Sequence, residues 1–425
     1  MKIRYLGKEL VAATLALVSS AAFGQVDSGL RPGSAAGAPL PGLTTGEMTM
    51  FLTGQTAFNE VEQVSNGLGP RFNLDSCGGC HAHPAVGGSS PLINPQIATA
   101  TRSGANNKVP PFLSSNGPVR VVRFRQTATH QRDGGVHALF VITGRNDAPA
   151  GCKIAQEDFS NTGNLTFRIP TPVFGAGLIE SIPEGTILAN LAANPQQKQQ
   201  LGIAGKVNRN GNDGTITRFG WKAQNKSLML FTGEAYNVEM GVTNEIFQNE
   251  REEDSACTKN GTPEDHTNYD TGDPSDLVKF TAFMRFLAPP APAAPNQSIN
   301  NGRNVFNQLG CALCHTPSMT TGASSSAALN NKPVPLYSDL ALHVMGANLD
   351  DQIVQGNAST NEFRTAPLWG AGQRTFFLHD GRSPNLVDAI LQHAGPGSEA
   401  NQVIQHYNQL PPPARQDLIN FLRSL

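Results

Sequence analysis

The chain contains the same short arrangement twice. In "DSCGGCHAHP", residues 75–84, Cys77 and Cys80 are followed at once by His81; in "GCALCHTP", residues 310–317, Cys311 and Cys314 are followed by His315. Two cysteines three positions apart lie near one face of a helical turn. Both sulfurs can then form thioethers with the two vinyl groups of one haem, and the next residue rises under the iron as its proximal ligand, the c-type attachment signature. A structural zinc site would need two such pairs close in sequence to complete a tetrahedron; these are more than two hundred residues apart. A redox dithiol would be expected in a thioredoxin-like βαβ setting, of which there is no sign, and haem attachment leaves no vicinal thiols. The repeat therefore predicts two covalent haems, anchored by Cys77, Cys80, Cys311 and Cys314, with His81 and His315 as iron ligands. His83, two residues beyond His81, cannot easily reach the opposite face of the same iron and is expected at the pocket edge or beside a propionate.

The similarity between the halves runs beyond the motif. "TGQTAFNEV" from Thr53 and "NGRNVFNQL" from Asn301 both contain Gly-x-x-x-Phe, with Gly54 and Phe58 in one and Gly302 and Phe306 in the other. Phe306 precedes Cys311 by five residues and Phe58 precedes Cys77 by nineteen, so the first copy carries an insertion, "NEVEQVSNGLGPRFNLD". Each half closes on an apolar stripe of helical period, in "SDLVKFTAFMRFLAPP" and in "RQDLINFLRSL" at the chain end. "APPAPAAPNQ", residues 288–297, reads as a stiff Pro/Ala linker between them. The expected fold is mainly α with long loops and a few short strands, built as two cytochrome c-like haem domains over 25–287 and 298–425. A strand pair is expected within residues 117–145, where β-branched residues cluster.

The remaining numbers set the compartment. Lys2, Arg4 and Lys8 precede the apolar run "LVAATLALVSSAAF", and Ala22-Phe23-Gly24 offers small residues before a cleavage point at Gln25. Residues 1–24 read as a secretory signal peptide. The run is short of the about 18 apolar residues of a membrane span, and no other segment qualifies, so the mature protein is expected to be soluble and periplasmic. Formal net charge is −2 with no long basic run, which argues against nucleic acid. Six cysteines are present, and Cys152 and Cys257 remain once the two motifs are set aside; in an oxidising compartment they are read as a structural disulfide.

The chain resembles the bacterial di-haem cytochrome c peroxidases, and more closely the di-haem oxidoreductases that include members labelled thiol oxidoreductases. "EFRTAPLWGAG" and "FFLHDGRSPNLVDAILQHAG" carry the resemblance in the second half, "RIPTPVFGAGLIESIP" and "RFGWKAQNKSLMLFTGEAYNVEMGVTNE" in the first. In the peroxidases a Met fourteen residues after the His of a His-(Asp/Ser)-Gly run is the sixth ligand of the C-terminal haem. Here the run is His379-Asp380-Gly381 and the position holds His393, which implies bis-histidine ligation with His315 and a lowered potential; Met345 is the rival ligand. The family's catalytic Glu-Met-Gly run is matched by Glu239-Met240-Gly241, so the resemblance implies Glu239 as the base that moves a proton between the oxygens of peroxide. A family glutamine ten residues earlier is replaced by Met229. Trp221 falls near an aromatic that lies between the haems, and Arg218, Lys222 and Arg364 are candidate propionate partners. The family's interdomain calcium is carried over only as a candidate, because Arg374-Thr375-Phe376 stands where the family has Thr-Ala-Pro.

The function implied is that of a periplasmic di-haem oxidoreductase, reducing hydrogen peroxide at the N-terminal haem, or using it to oxidise a protein side chain. Electrons would arrive through the C-terminal haem from a small redox protein or a quinol-linked cytochrome. A simple di-haem electron carrier is the alternative; it requires a protein ligand on both faces of each iron, and His83, His130 and His137 are available in the first half. A third reading is a protein that docks to another redox enzyme and turns nothing over alone.

Overall fold

The computed structural model describes residues 25–32, 36–252 and 254–425. The signal-peptide reading falls on residues 1–24 and lies outside the described residues. The fold is mostly helices and long loops with a few short strands, as expected for a cytochrome-like chain. Among the described residues no helix is long and apolar enough to cross a membrane.

Two similar helix crossings organise the halves. Helix Thr45–Phe58 packs on helix Asp276–Phe286, and helix Gln297–Leu309 packs on helix Pro412–Ser424. The first is started by a capping box, with Thr44 accepting from the Glu47 amide and Glu47 reaching back to the Thr44 amide. The Asn296 side chain caps the other N-terminus by accepting from the Ile299 amide. The repeated glycines explain the closeness of the crossings: a Cβ at Gly54 would collide with the Lys279 carbonyl and Phe283, and one at Gly302 with the Asp417 carbonyl and Phe421. The repeated phenylalanines fill the same place in both pairs. Phe58 meets Phe283 at 5.0 Å between ring centroids and Phe306 meets Phe421 at 5.4 Å.

The strand pair expected within 117–145 is present and gains a third member. Val121–Phe124 pairs antiparallel with Val136–His137 on one side and with Leu165–Arg168 on the other. Cys152 and Cys257 form a disulfide. Residues 288–296 run without helix, but the stretch is pinned: Ala288 donates to the Ala38 carbonyl and Ala293 to that of Ser424. The halves also trade pieces. Leu201 and Ile203 of the first half sit in the core of the second, and Asp27 makes a two-pronged ion pair with Arg423.

Candidate haem centres

Around the second motif the structure builds a cavity of about 220 Å³ lined by Cys311, Cys314, His315, His393 and a mainly apolar wall. Glycine 310, at φ 94°, ends helix Gln297–Leu309 and turns the chain into Cys311. The His315 amide then donates to the Cys311 carbonyl at 2.9 Å, which winds cysteines and histidine onto one turn. His315 Nδ1 lies 3.0 Å from the Tyr337 carbonyl and His393 Nδ1 lies 2.7 Å from the Ala389 carbonyl. Each ring is therefore held by its own backbone contact with Nε2 left free. Burial lowers the pKa of His315 to about 4 and also lowers that of His393, keeping both in the neutral form that binds metal.

The two imidazole centroids are 6.4 Å apart, with planes at 58°. Two imidazoles that shared one metal ion, each at a bond of about 2 Å, would have ring centres about 6 Å apart, so His315 and His393 are spaced as a pair that could hold one iron between them. Met345 lines the same cavity, but it is His393 that stands at this spacing from His315.

Charge in the cavity also suits haem. Arg364 and Arg374 both line it, and burial lowers each to about 10. Arg364 Nε donates to the Gly220 carbonyl, Arg374 Nε has no hydrogen-bond partner, and neither guanidinium makes an ion pair among the described residues. Buried cations without anions are costly, and haem propionates are the anions that would complete them. Arg374 is a residue that motif matching missed. So is His343, whose Nε2 meets Asp339 at 2.9 Å and Nδ1 meets Glu399 at 2.7 Å, with Nδ1 3.7 Å from Cys314 Sγ. The residues present fit a haem.

The first motif repeats this construction. The His81 amide donates to the Cys77 carbonyl at 3.0 Å, and His81 Nδ1 lies 3.0 Å from the Gly88 carbonyl. Phe58 meets the His81 ring at 5.9 Å, as Phe306 meets His315 at 6.3 Å. Burial lowers the His81 pKa to about 4 and raises those of Cys77 and Cys80.

Glu239 comes to this site at the end of helix Leu228–Met240, close enough for its charge to act on both Cys77 and Cys80. Gly241, at φ 78°, terminates the helix, and a side chain there would strike the Arg71 and Gly69 carbonyls. The insertion of the first half wraps this terminus. The Asn73 amide donates to the Glu239 carbonyl at 2.7 Å and the Gly69 amide to that of Met240 at 2.9 Å, satisfying carbonyls that a helix end leaves free. Asn73 Nδ2 also donates to Glu239 Oε2 at 3.1 Å. Burial, partly offset by the charges of Arg123 and Arg251 and by the Asn73 bond, raises the Glu239 pKa to about 7. Met240 Sδ lies 3.7 Å from Cys77 Sγ.

Other sequence candidates go elsewhere. Arg218 is not among the residues that line the C-terminal cavity; its Nη1 donates to the Ile179, Glu180 and Ile182 carbonyls, at and just beyond the end of helix Ala176–Glu180. Lys222 likewise points to the Ser359, Thr360 and Glu362 carbonyls, each at 2.9 Å, and not to a cavity. Trp221 lines the C-terminal cavity, with Nε1 donating to the Ile169 carbonyl at 2.9 Å. His137 has both ring nitrogens engaged, by Glu157 at 2.8 Å and Asp133 at 3.0 Å, and His130 is exposed. His83 is half-buried, and its Nε2 has no hydrogen-bond partner among the described residues. Among the described residues no group of three or more His, Cys, Asp or Glu is placed to hold a metal ion.

Residues 116–425, about three-quarters of the chain, match the family model described as "Di-haem oxidoreductase, putative peroxidase". The chain belongs to the di-haem oxidoreductase family. Membership makes it a di-haem redox enzyme and implies haem as its cofactor; the second motif lies inside the matched residues and the first lies before them. No curated protein matches the chain. Among solved structures, hydrazine synthase of Kuenenia stuttgartiensis, pressurised with 20 bar xenon, aligns at 12% identity over 99% of this chain and 100% of its own, with a TM-score of 0.35. A MauG-like protein associated with microbial copper homeostasis aligns at 15% identity over 57% of this chain and 89% of its own, with a TM-score of 0.30. Both are loose likenesses.

Proposed function

We propose that this di-haem oxidoreductase reduces hydrogen peroxide at an N-terminal c-type haem held by Cys77, Cys80 and His81. A C-terminal haem, held by Cys311, Cys314, His315 and His393, passes it electrons. The carrying observation is the asymmetry between the sites. The C-terminal cavity sets two neutral imidazoles 6.4 Å apart, whereas the N-terminal site is met by a helix end that carries the carboxyl of Glu239 next to Met240, whose Sδ lies 3.7 Å from Cys77 Sγ. His130 and His137, candidates for a second N-terminal ligand, are exposed or already bound to carboxylates.

Bound there, haem iron supplies the electrons and the coordination position that peroxide needs. The protein's part is proton handling. Glu239, near half-ionised at neutral pH, accepts the proton of the inner peroxide oxygen and returns it to the outer one, which then leaves as water. Asn73, donating to Oε2, holds the carboxylate in one orientation. Arg364 and Arg374 would bind the propionates of the C-terminal haem, and Trp221 lines the same cavity. The physiological donor is a small redox protein or a quinol-linked cytochrome, and the enzyme works in the periplasm after export.

Electron paramagnetic resonance of the oxidised and half-reduced protein tests this reading. One high-spin and one low-spin iron in at least one redox state, with peroxide-dependent oxidation of reduced cytochrome c, is the expected result. Two low-spin irons in every state would return the chain to a simple electron carrier.

A further inference from the structure

Tyr236 lies on the same helix as Glu239, one turn earlier, and is 2% exposed. Its hydroxyl donates to Glu62 Oε1 at 2.9 Å. Glu62 is also 2% exposed and comes from the insertion that wraps the helix end. Burial, opposed by the Tyr236 bond, raises the Glu62 pKa to about 7. A buried phenol and a buried carboxyl are thus closed on one another, away from water.

Two chains of contact connect that phenol to the N-terminal haem residues. Through the core, the Tyr236 ring meets Phe280 edge-on at 5.1 Å, Phe280 meets Phe58 at 5.9 Å, and Phe58 meets His81 at 5.9 Å. Along the helix, Tyr236 and Met240 are four residues apart and share a face, and Met240 Sδ is 3.7 Å from Cys77 Sγ. An easily oxidised ring therefore sits within contact steps of both the proximal histidine and a haem-anchoring sulfur, with a base already on its proton.

We propose that Tyr236 is a redox-active tyrosine, oxidised to a neutral phenoxyl radical when peroxide meets the fully oxidised enzyme, with Glu62 taking its proton. The proposal rests on the peroxide reading above. Hydrogen peroxide takes up two electrons and, with two protons drawn from solvent, yields two waters. Without reduced donor, one electron would come from the haems and one from Tyr236. The Tyr236 O–H bond breaks, its electron passes to the haem site and its proton to Glu62 Oε1. Two electrons from the donor close the cycle: one returns to the haems, and the other, with the proton held by Glu62, restores the phenol. The pair thereby protects the site when peroxide arrives before the donor.

The test uses the haem-loaded, full-length enzyme, fully oxidised, mixed with hydrogen peroxide and frozen for electron paramagnetic resonance. An organic radical is expected that narrows when the enzyme carries ring-deuterated tyrosine, which needs no substitution. The signal should be lost in Tyr236→Phe, diminished in Glu62→Gln, and kept in Tyr337→Phe, the control beside the C-terminal site. Peroxide consumption with reduced cytochrome c should persist in Tyr236→Phe. A radical absent from wild type, insensitive to deuteration, or abolished only in Tyr337→Phe, while peroxide is still consumed, overturns the tyrosine assignment and leaves the peroxidase reading standing. Wild-type enzyme that consumes no peroxide overturns both.

Discussion

The Lys222 ammonium lies 3.1 Å from Asp351, and neither side chain is exposed to solvent. The pair joins the two halves of the chain. Three carbonyls of the second half also accept from Lys222, and Arg168 reaches the other Asp351 oxygen at 2.7 Å. The ammonium further sits 4.1 Å from the Phe363 ring centre, and Phe363 stacks on His379 at 4.3 Å, against the C-terminal cavity. Lys222→Met leaves Asp351 buried with one partner fewer, so a loss of about 3–5 kcal/mol is expected. Denaturant melts of Lys222→Met, Asp351→Asn and the double variant check this. The double variant should cost less than the sum of the two singles.

His393 supplies a sharper test of the haem assignment. Replacing imidazole by thioether raises a haem's potential, so His393→Met should raise one of the two midpoint potentials and leave the other in place. His393→Ala should convert one low-spin signal to high-spin. A potentiometric titration followed by absorbance and paramagnetic resonance reads both. If neither variant moves a potential or a spin state, His393 is not the ligand.

Glu239 predicts opposite trends for activity and stability. As a proton acceptor it must be ionised, so kcat/KM for peroxide should rise with pH through about 7. Glu239→Gln should lower the rate by about 10²–10⁴-fold and remove that rise. Its folded pKa stands above the ordinary 4.5, so the folded state binds the extra proton. Stability from this group is full below 4.5 and is lost as pH rises to about 7. Melts of Glu239→Gln against wild type should therefore diverge as pH rises from about 4.5 to about 7, with the variant the more stable at and above pH 7.

The repeated glycines predict a reversal of sign. Alanine in an exposed helix is better than glycine by about 1 kcal/mol. At Gly54 and Gly302 the added methyl meets a carbonyl of the crossing helix, and overpacking of about 1–3 kcal/mol should dominate. Thermal melts of Gly54→Ala and Gly302→Ala should both fall, and to a similar degree, because the two crossings are built alike.

What could be read from the chain were relations between neighbours in sequence. A Cys-x-x-Cys-His run specifies its chemistry within one turn, so anchors and proximal ligands were legible without a fold. The Gly-x-x-x-Phe pairs and the apolar stripes of helical period likewise marked matching helices in the two halves, though not that they cross, and cysteine count with export context led to the Cys152–Cys257 pair. Choices among distant groups were not legible. Arg218 and Arg374 are both arginines near family motifs, yet one donates to carbonyls at a helix end and the other lies buried in a haem cavity without an ion-pair partner among the described residues. The insertion after Phe58 carries no motif, and only folding shows that it delivers Asn73 to Glu239 and Glu62 to Tyr236. The sequence by itself determined which residues are candidates to anchor a haem. The tertiary structure decided which histidine stands opposite His315 and where Glu239 and Tyr236 are aimed, because burial and contact at long range depend on how the whole chain closes.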